Sequence, residues 1–131
     1  MNLKVKLILF VLFSFLISCT SKEEKTIQEF INHAKNLNID EIKKLSTENT
    51  NFYIKMAIEP IISLGNAASK QQLKKIVSTL ECSGEDGKRK CSYIDDNGNK
   101  QFFELEFIAG YDELGKKKLF IDIDKKYFFG E

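Results

Sequence analysis

Residues 76–108, IVSTLECSGEDGKRKCSYIDDNGNKQFFELEFI, decide the fold. Two turn dipeptides, Asp86-Gly87 and Asn97-Gly98, punctuate runs in which apolar and polar residues alternate. Tight two-residue hairpins need positive φ at both central positions, and Asp-Gly and Asn-Gly supply it at low steric cost. The pattern predicts strands over 76–83, 89–94 and 100–109, joined as an antiparallel meander. With Asp86-Gly87 as the turn, Glu85 faces Lys88, and counting outward sets Cys82 opposite Cys91. That position is not hydrogen-bonded in the ladder, so its two Cα atoms stand only ~4.5 Å apart.

Further along, a longer loop over 110–117 leads to a fourth strand at 118–124. Phe103, Leu105 and Phe107 share one face of the third strand, as Leu119, Ile121 and Ile123 do on the fourth. These purely apolar sets are expected to pack beneath helices. The opposite face is mixed: Tyr93, Phe102, Ile108 and Phe120 stand among Glu104, Glu106, Asp122 and Asp124. Such a face is solvated, covered by the C-terminal Tyr127-Phe128-Phe129, or used as a partner surface. For the last case Phe102, Ile108 and Phe120 are the contact residues to expect.

Towards the N-terminus the period changes from two to 3.6. Ile27, Phe30, Ile31, Ala34 and Leu37 form one apolar stripe, predicting a first helix that leaves through Asn36-Leu37-Asn38. Asp40 is placed to cap a short second helix with Ile42 and Leu45 inward, ending near Ser46. A third helical segment over 51–64 carries Phe52, Met56, Ile61, Ile62 and Leu64, and Pro60 is expected to kink or split it. Gly65-Asn66 closes that segment. Ser69 to Gln72 has capping-box spacing, which predicts one further helical turn before the first strand. Helices first and strands second make an α+β domain.

The leading residues carry Lys4 and Lys6, then the run LILFVLFSFLI over 7–17, broken only by Ser14. A membrane-spanning helix takes about 20 apolar residues, so residues 1–18 read as a secretory signal. Leu16-Ile17-Ser18-Cys19 resembles the lipobox of bacterial lipoproteins. The resemblance implies cleavage before Cys19, diacylglycerol on its sulfur, and an acyl chain such as palmitate on the new amino group. An ordinary signal peptide or a short anchor helix is the alternative. One acyl chain holds a protein marginally, and two or more hold it stably. Residues 19–25, CTSKEEK, are then lipidated cysteine and tether, with the domain over 26–131. Thr20 stands where an inner-membrane retention signal would have Asp, which points to the outer membrane, periplasmic or surface-exposed. Lys22-Glu23-Glu24 resembles a surface-export signal, though a charged run after an anchor also serves as plain solvated linker.

Three cysteines are present. With Cys19 lipidated, Cys82 and Cys91 remain as an even pair in an oxidising compartment, so a Cys82–Cys91 disulfide is expected. Free thiols or a metal site are the alternatives, but no second cysteine pair or nearby histidine completes a ligand set. Without Lys4 and Lys6 the 20 Lys and Arg fall to 18, against 19 Asp and Glu. That balance gives no global field for nucleic acid, and the clusters Lys88-Arg89-Lys90 and Lys116-Lys117-Lys118 are expected to be solvated at turns.

The opening IQEFINHAKNLNIDEIKKLS (27–46) and the strand series together resemble small bacterial lipoproteins with a cystatin-like or NTF2-like domain, the DUF4878 group among them. The likeness covers about residues 26–126 and is one of element order. It implies N-terminal helices packed on a curled antiparallel four-stranded sheet, with a pocket between them. Such domains include enzymes, ligand binders and assembly modules, so fold alone does not choose.

Chemical motifs are sparse. Residues 110–117 imitate phosphate-loop spacing, but Lys117 replaces the required hydroxyl and two acids occupy the cradle. Residues 95–106 imitate a calcium loop, but Lys100 stands where Gly is needed. His33, the one histidine, lies on the flank of the first apolar stripe. Glu81, Glu104 and Glu106 are the carboxylates best placed on the sheet. The reading is a lipid-anchored envelope domain that binds a protein or small apolar ligand without catalysis, cofactor or metal. The alternatives are an NTF2-like enzyme using His33 or Glu104 as pocket acid or base, and an inhibitor or exclusion lipoprotein acting on a foreign protein.

Overall fold

The computed structural model describes residues 21–84 and 87–130; the expected signal, Cys19 and the Glu85-Asp86 half of the first turn lie outside them. The domain is α+β, with helices packed on one face of a four-stranded antiparallel sheet. Contrary to the expected curled sheet, this one is not strongly curled.

Helix α1 (Lys22–Lys35) begins where the tether was expected, so Lys22 to Lys25 are its first turn. Ser21 supplies the reason: its hydroxyl accepts from the Glu24 N–H at 3.1 Å, and Glu23 and Glu24 complement the helix dipole. The apolar stripe faces inward, burying Ile27, Phe30 and Ala34. The helix ends with Leu37 in the left-handed region (φ 54°), where Asn38 N–H reaches the His33 carbonyl and Leu37 N–H that of Ala34. Helix α2 (Ile39–Lys44) follows at once with Asn38 at the cap position, so Asp40 is inside the helix and does not cap it. Ile42 and Leu45 are buried as expected.

Pro60 splits the next segment into α3 (Glu48–Ala57) and α4 (Glu59–Ser63), sitting in the first turn of α4 where its missing N–H costs nothing. Thr50 and Ile54, rather than the bulkier Phe52 and Met56, take the buried side of α3. Asn66 then caps α5 (Ala67–Val77), a full helix where only one turn was expected. The predicted first strand is correspondingly reduced to β1 (Glu81–Ser83). Leu73, Ile76, Val77 and Leu80 recur at i, i+3, i+4 and i+7, a helical period that the β-branched pair Ile76-Val77 disguised.

The other strands are β2 (Lys88–Ile94), β3 (Lys100–Tyr111) and β4 (Lys117–Ile123), each neighbour in sequence being a neighbour in the sheet. Cys82 pairs with Cys91 in the expected register, and the two form a disulfide. Both later turns share one design that differs from the two-residue turn expected at Asn97-Gly98. Asp95 and Asp112 each accept from the N–H groups two and four residues on, and Gly98 (φ +81°) and Gly115 (φ +75°) occupy the positive-φ position of a three-residue loop. The Gln101 side chain and the Asn99 and Asn97 amides hold the Asp95 carboxyl below its ordinary pKa. The expected long loop at 110–117 is therefore a tight turn, and β3 runs on to Tyr111.

Leu105 and Ile121 are fully buried at the centre of the core face, as the alternation required. The free edge of β4 is closed by the α2–α3 junction: Ile121 N–H donates to the Leu45 carbonyl at 2.7 Å, and Thr47 N–H to that of Ile121 at 2.9 Å. Thr50, wholly buried, accepts from Ile123 N–H at 2.9 Å, and Thr47 donates to Asp122 at 2.6 Å. Replacing Thr50 by Val keeps the shape and removes that acceptor, leaving a buried N–H without a partner. Thr50→Val is expected to cost about 1–3 kcal/mol in urea unfolding, and Thr50→Ser less.

The run Lys88-Arg89-Lys90 is not uniformly solvated. Alternation turns Arg89 inward, where it is 6% exposed. Its Nη1 donates to the Gly84 carbonyl at 2.5 Å, its Nη2 lies 3.5 Å from Glu24, and Glu23 accepts from Gly87 N–H at 2.7 Å. These contacts fasten the disulfide hairpin to the start of α1. The short helix α6 (Lys126–Phe129) packs on the helical side, with Phe128 beside Tyr53 and Tyr127 beside Phe103. Tyr127-Phe128-Phe129 therefore does not cover the mixed outer face.

Candidate functional site

The helices do not fill the space above the sheet. Ala34 and Leu37 near the end of α1, Ile54 of α3, and Leu73 and Val77 of α5 line a partly open cavity of about 340 Å³. Phe103 and Tyr93 form its floor, and Tyr127 and Phe128 of α6 close one side; Tyr93, expected on the mixed outer face, thus lies on the helix-facing side, two positions from the buried Cys91. Its size falls in the range of small-ligand pockets, ~300–1,000 Å³. Among the described residues the wall is aliphatic or aromatic throughout, and the phenols of Tyr93 and Tyr127 are its polar side-chain groups. Burial raises the Tyr93 phenol above its ordinary pKa, with the Asp95 carboxylate adding to the effect. A neutral phenol in an apolar wall can orient a ligand by one hydrogen bond, while the surrounding surface supplies its affinity.

The residues weighed for acid–base chemistry are elsewhere. Glu104 and Glu106 are exposed on the outer face, and Glu81 is exposed on β1. His33 is half-buried on the flank of α1, outside the cavity wall, its Nδ1 shielded from solvent without a hydrogen-bond partner among the described residues. Among the described residues no group of three or more His, Cys, Asp or Glu is placed to hold a metal ion.

On the outer face, Ile108 and Phe120 form a cross-strand pair. Phe102 lies six positions from Ile108 on the same strand, roughly 20 Å away at the rise of a strand, with Glu104 and Glu106 between. Two of the three expected contact residues are thus together and the third is apart. Phe102 is half exposed beneath Lys90 and Lys100, whose ammonium groups stand 4.6 and 5.7 Å from its ring centre. Phe120 lies against Gly110, where a Cβ would meet its ring at 2.9 Å, and carries Lys118 at 5.5 Å. Lysine stems therefore shield much of this aromatic surface.

Sequence reasoning missed the wall residues Leu73, Ile76 and Val77 because it divided them between a turn and a strand. No family model, curated protein or solved structure matches the chain. Among the described residues no helix is long and apolar enough to cross a membrane.

Proposed function

We propose that this chain is a lipid-anchored domain of the bacterial cell envelope that binds a small apolar ligand between its helices and its sheet. The apolar cavity of about 340 Å³ carries the reading. An open apolar cavity lined by side chains such as Ile54 and Phe103 favours an apolar occupant, which removes that surface from water. The lipobox-like Leu16-Ile17-Ser18-Cys19 supports acylation at Cys19, and Thr20 favours the outer membrane. The order of helices followed by an antiparallel meander supports kinship with cystatin-like or NTF2-like lipoproteins, here with a flatter sheet. A wall without carboxylate or imidazole favours binding over acid–base catalysis by His33 or Glu104.

Titration with the fluorescent apolar probe N-phenyl-1-naphthylamine tests the cavity. The protein is expected to bind it saturably. Val77→Phe, which projects bulk into the space, should weaken binding about tenfold or more while the protein stays folded. Leu114→Phe, on the exposed β3–β4 turn, should change nothing. Unaltered binding by Val77→Phe removes the proposal. Intact-mass analysis of membrane-extracted protein tests the anchor separately, through the mass of residue 19 and its acyl groups.

A further inference from the structure

We propose that the outward face of α3, α4 and α6 rests on an anionic lipid bilayer, with Phe52, Met56 and Phe129 entering the boundary between headgroups and acyl chains. Thr50 and Ile54 occupy the inner side of α3, so Phe52 and Met56, one turn apart, point outward and are 58% and 55% exposed. Phe129 on α6 is 53% exposed, and the Tyr53 ring joins the two helices, its centre 6.2 Å from that of Phe52 and 6.0 Å from that of Phe129. Leu64, at the end of α4, is 86% exposed. A soluble monomer rarely leaves so many large apolar side chains together in water.

Charge identifies the occupant. From Glu48 to Leu80 the chain carries Lys55, Lys70, Lys74 and Lys75 against Glu48 and Glu59. Glu59 is already paired with Lys43 at 2.5 Å. Lys125 and Lys126 are exposed at the start of the helix that bears Phe129. By contrast, residues 81–124 carry 11 Asp and Glu against 7 Lys and Arg. The apolar side chains thus lie in the cationic part of a domain whose sheet is anionic. Phe, Met and Leu on helices that also carry long, flexible lysines, with more lysines on the next helix, suit a surface of lipid phosphates, where the stems lie along the apolar boundary and the ammonium groups reach the headgroups. The α3 and α4 helices are far too short to span a bilayer, so the contact is interfacial.

The inference goes beyond tethering, because an acyl anchor alone leaves the orientation of the domain free, and it stands whether or not the cavity holds a ligand. The chain has no tryptophan, so single substitutions report cleanly. Phe52→Trp reports from the proposed face and Phe102→Trp from the outer sheet face, two positions of similar exposure. Met56→Trp serves as a second reporter on α3. The full chain is reconstituted on vesicles of phosphatidylglycerol and phosphatidylcholine, with and without bromine on the acyl chains. The tryptophan of F52W is expected to shift its emission to the blue and lose roughly half of it to bromolipid, as a side chain 5–10 Å deep would. That of F102W should do neither. Adding Lys55→Glu and Lys126→Glu to F52W should lower the quenched fraction about tenfold in membrane affinity. Unquenched F52W and M56W on vesicles that carry the protein would overturn the proposal, as would equal quenching of F52W and F102W. Shielding that needs no lipid and grows with protein concentration would assign the face to a second copy and overturn it too. Because the two reporters are compared on the same bound chain, the outcome does not depend on how residue 19 is modified.

Discussion

Leu105→Ala is expected to destabilise the domain by about 2–5 kcal/mol, the range for truncating a buried leucine whose surroundings collapse only in part. Leu105 is fully buried on β3 between Arg89 of β2 and Ile123 of β4, and it faces the helices from the middle of the sheet. Removing its side chain forfeits transfer free energy and leaves a hole flanked by paired strands, which cannot move together without breaking ladder hydrogen bonds. A domain of this size has only ~5–15 kcal/mol in total. With an m value of ~1–3 kcal/mol per molar urea, the midpoint should fall by at least about 0.7 M at unchanged m. Leu114→Ala, on the exposed β3–β4 turn, provides the contrast and should stay within ~0.5 kcal/mol. A Leu105→Ala midpoint equal to that of Leu114→Ala would mean that the sheet does not pack as described.

Opening the Cys82–Cys91 disulfide ranks second. The two cysteines are 9 residues apart in sequence, and closing so short a loop restricts the unfolded chain by roughly 2–3 kcal/mol. The local consequence should exceed the global one. β1 has only three residues and lies at the sheet edge, paired on one side with β2. Its hairpin also accepts the Arg89 guanidinium and meets Glu23 at the beginning of α1. Cys82→Ala with Cys91→Ala should therefore lower the urea midpoint and, more sharply, speed amide exchange over 81–84 and in the first turn of α1. Exchange rates there equal to those of the wild type would show that the staple contributes nothing to holding the hairpin.

How far the chain could be read follows from where each signal resides. The core faces of β3 and β4 were legible because Leu105 stands between Glu104 and Glu106, and Ile121 and Ile123 flank Asp122. The register that joins Cys82 to Cys91 followed from counting outward from one turn. Arg89 was misplaced because a run of three cations reads as solvated until alternation is applied to its middle member. The α5 helix was half hidden by Ile76-Val77, two strand-favouring residues at its end. Closing the β4 edge takes backbone contacts between residues about 75 positions apart, such as Thr47 with Ile121, and no local pattern encodes such a meeting. The cavity was invisible for a related reason: its wall is gathered from several helices and three strands, each contributing residues that look like ordinary core. The side chosen by Tyr127-Phe128-Phe129 depended on Tyr53 and Phe103 being ready to receive them.

Two apolar surfaces of different kind follow from the same helices. Ile54, Tyr127 and Phe128 line the cavity, while Phe52, Met56 and Phe129 face away from it. Isotope-edited NMR of the protein saturated with N-phenyl-1-naphthylamine separates them in one measurement. The account predicts contacts from the probe to Ala34, Ile54 and the Tyr93 ring. Contacts confined to Phe52, Met56 and Phe129, with none to those three, would contradict it.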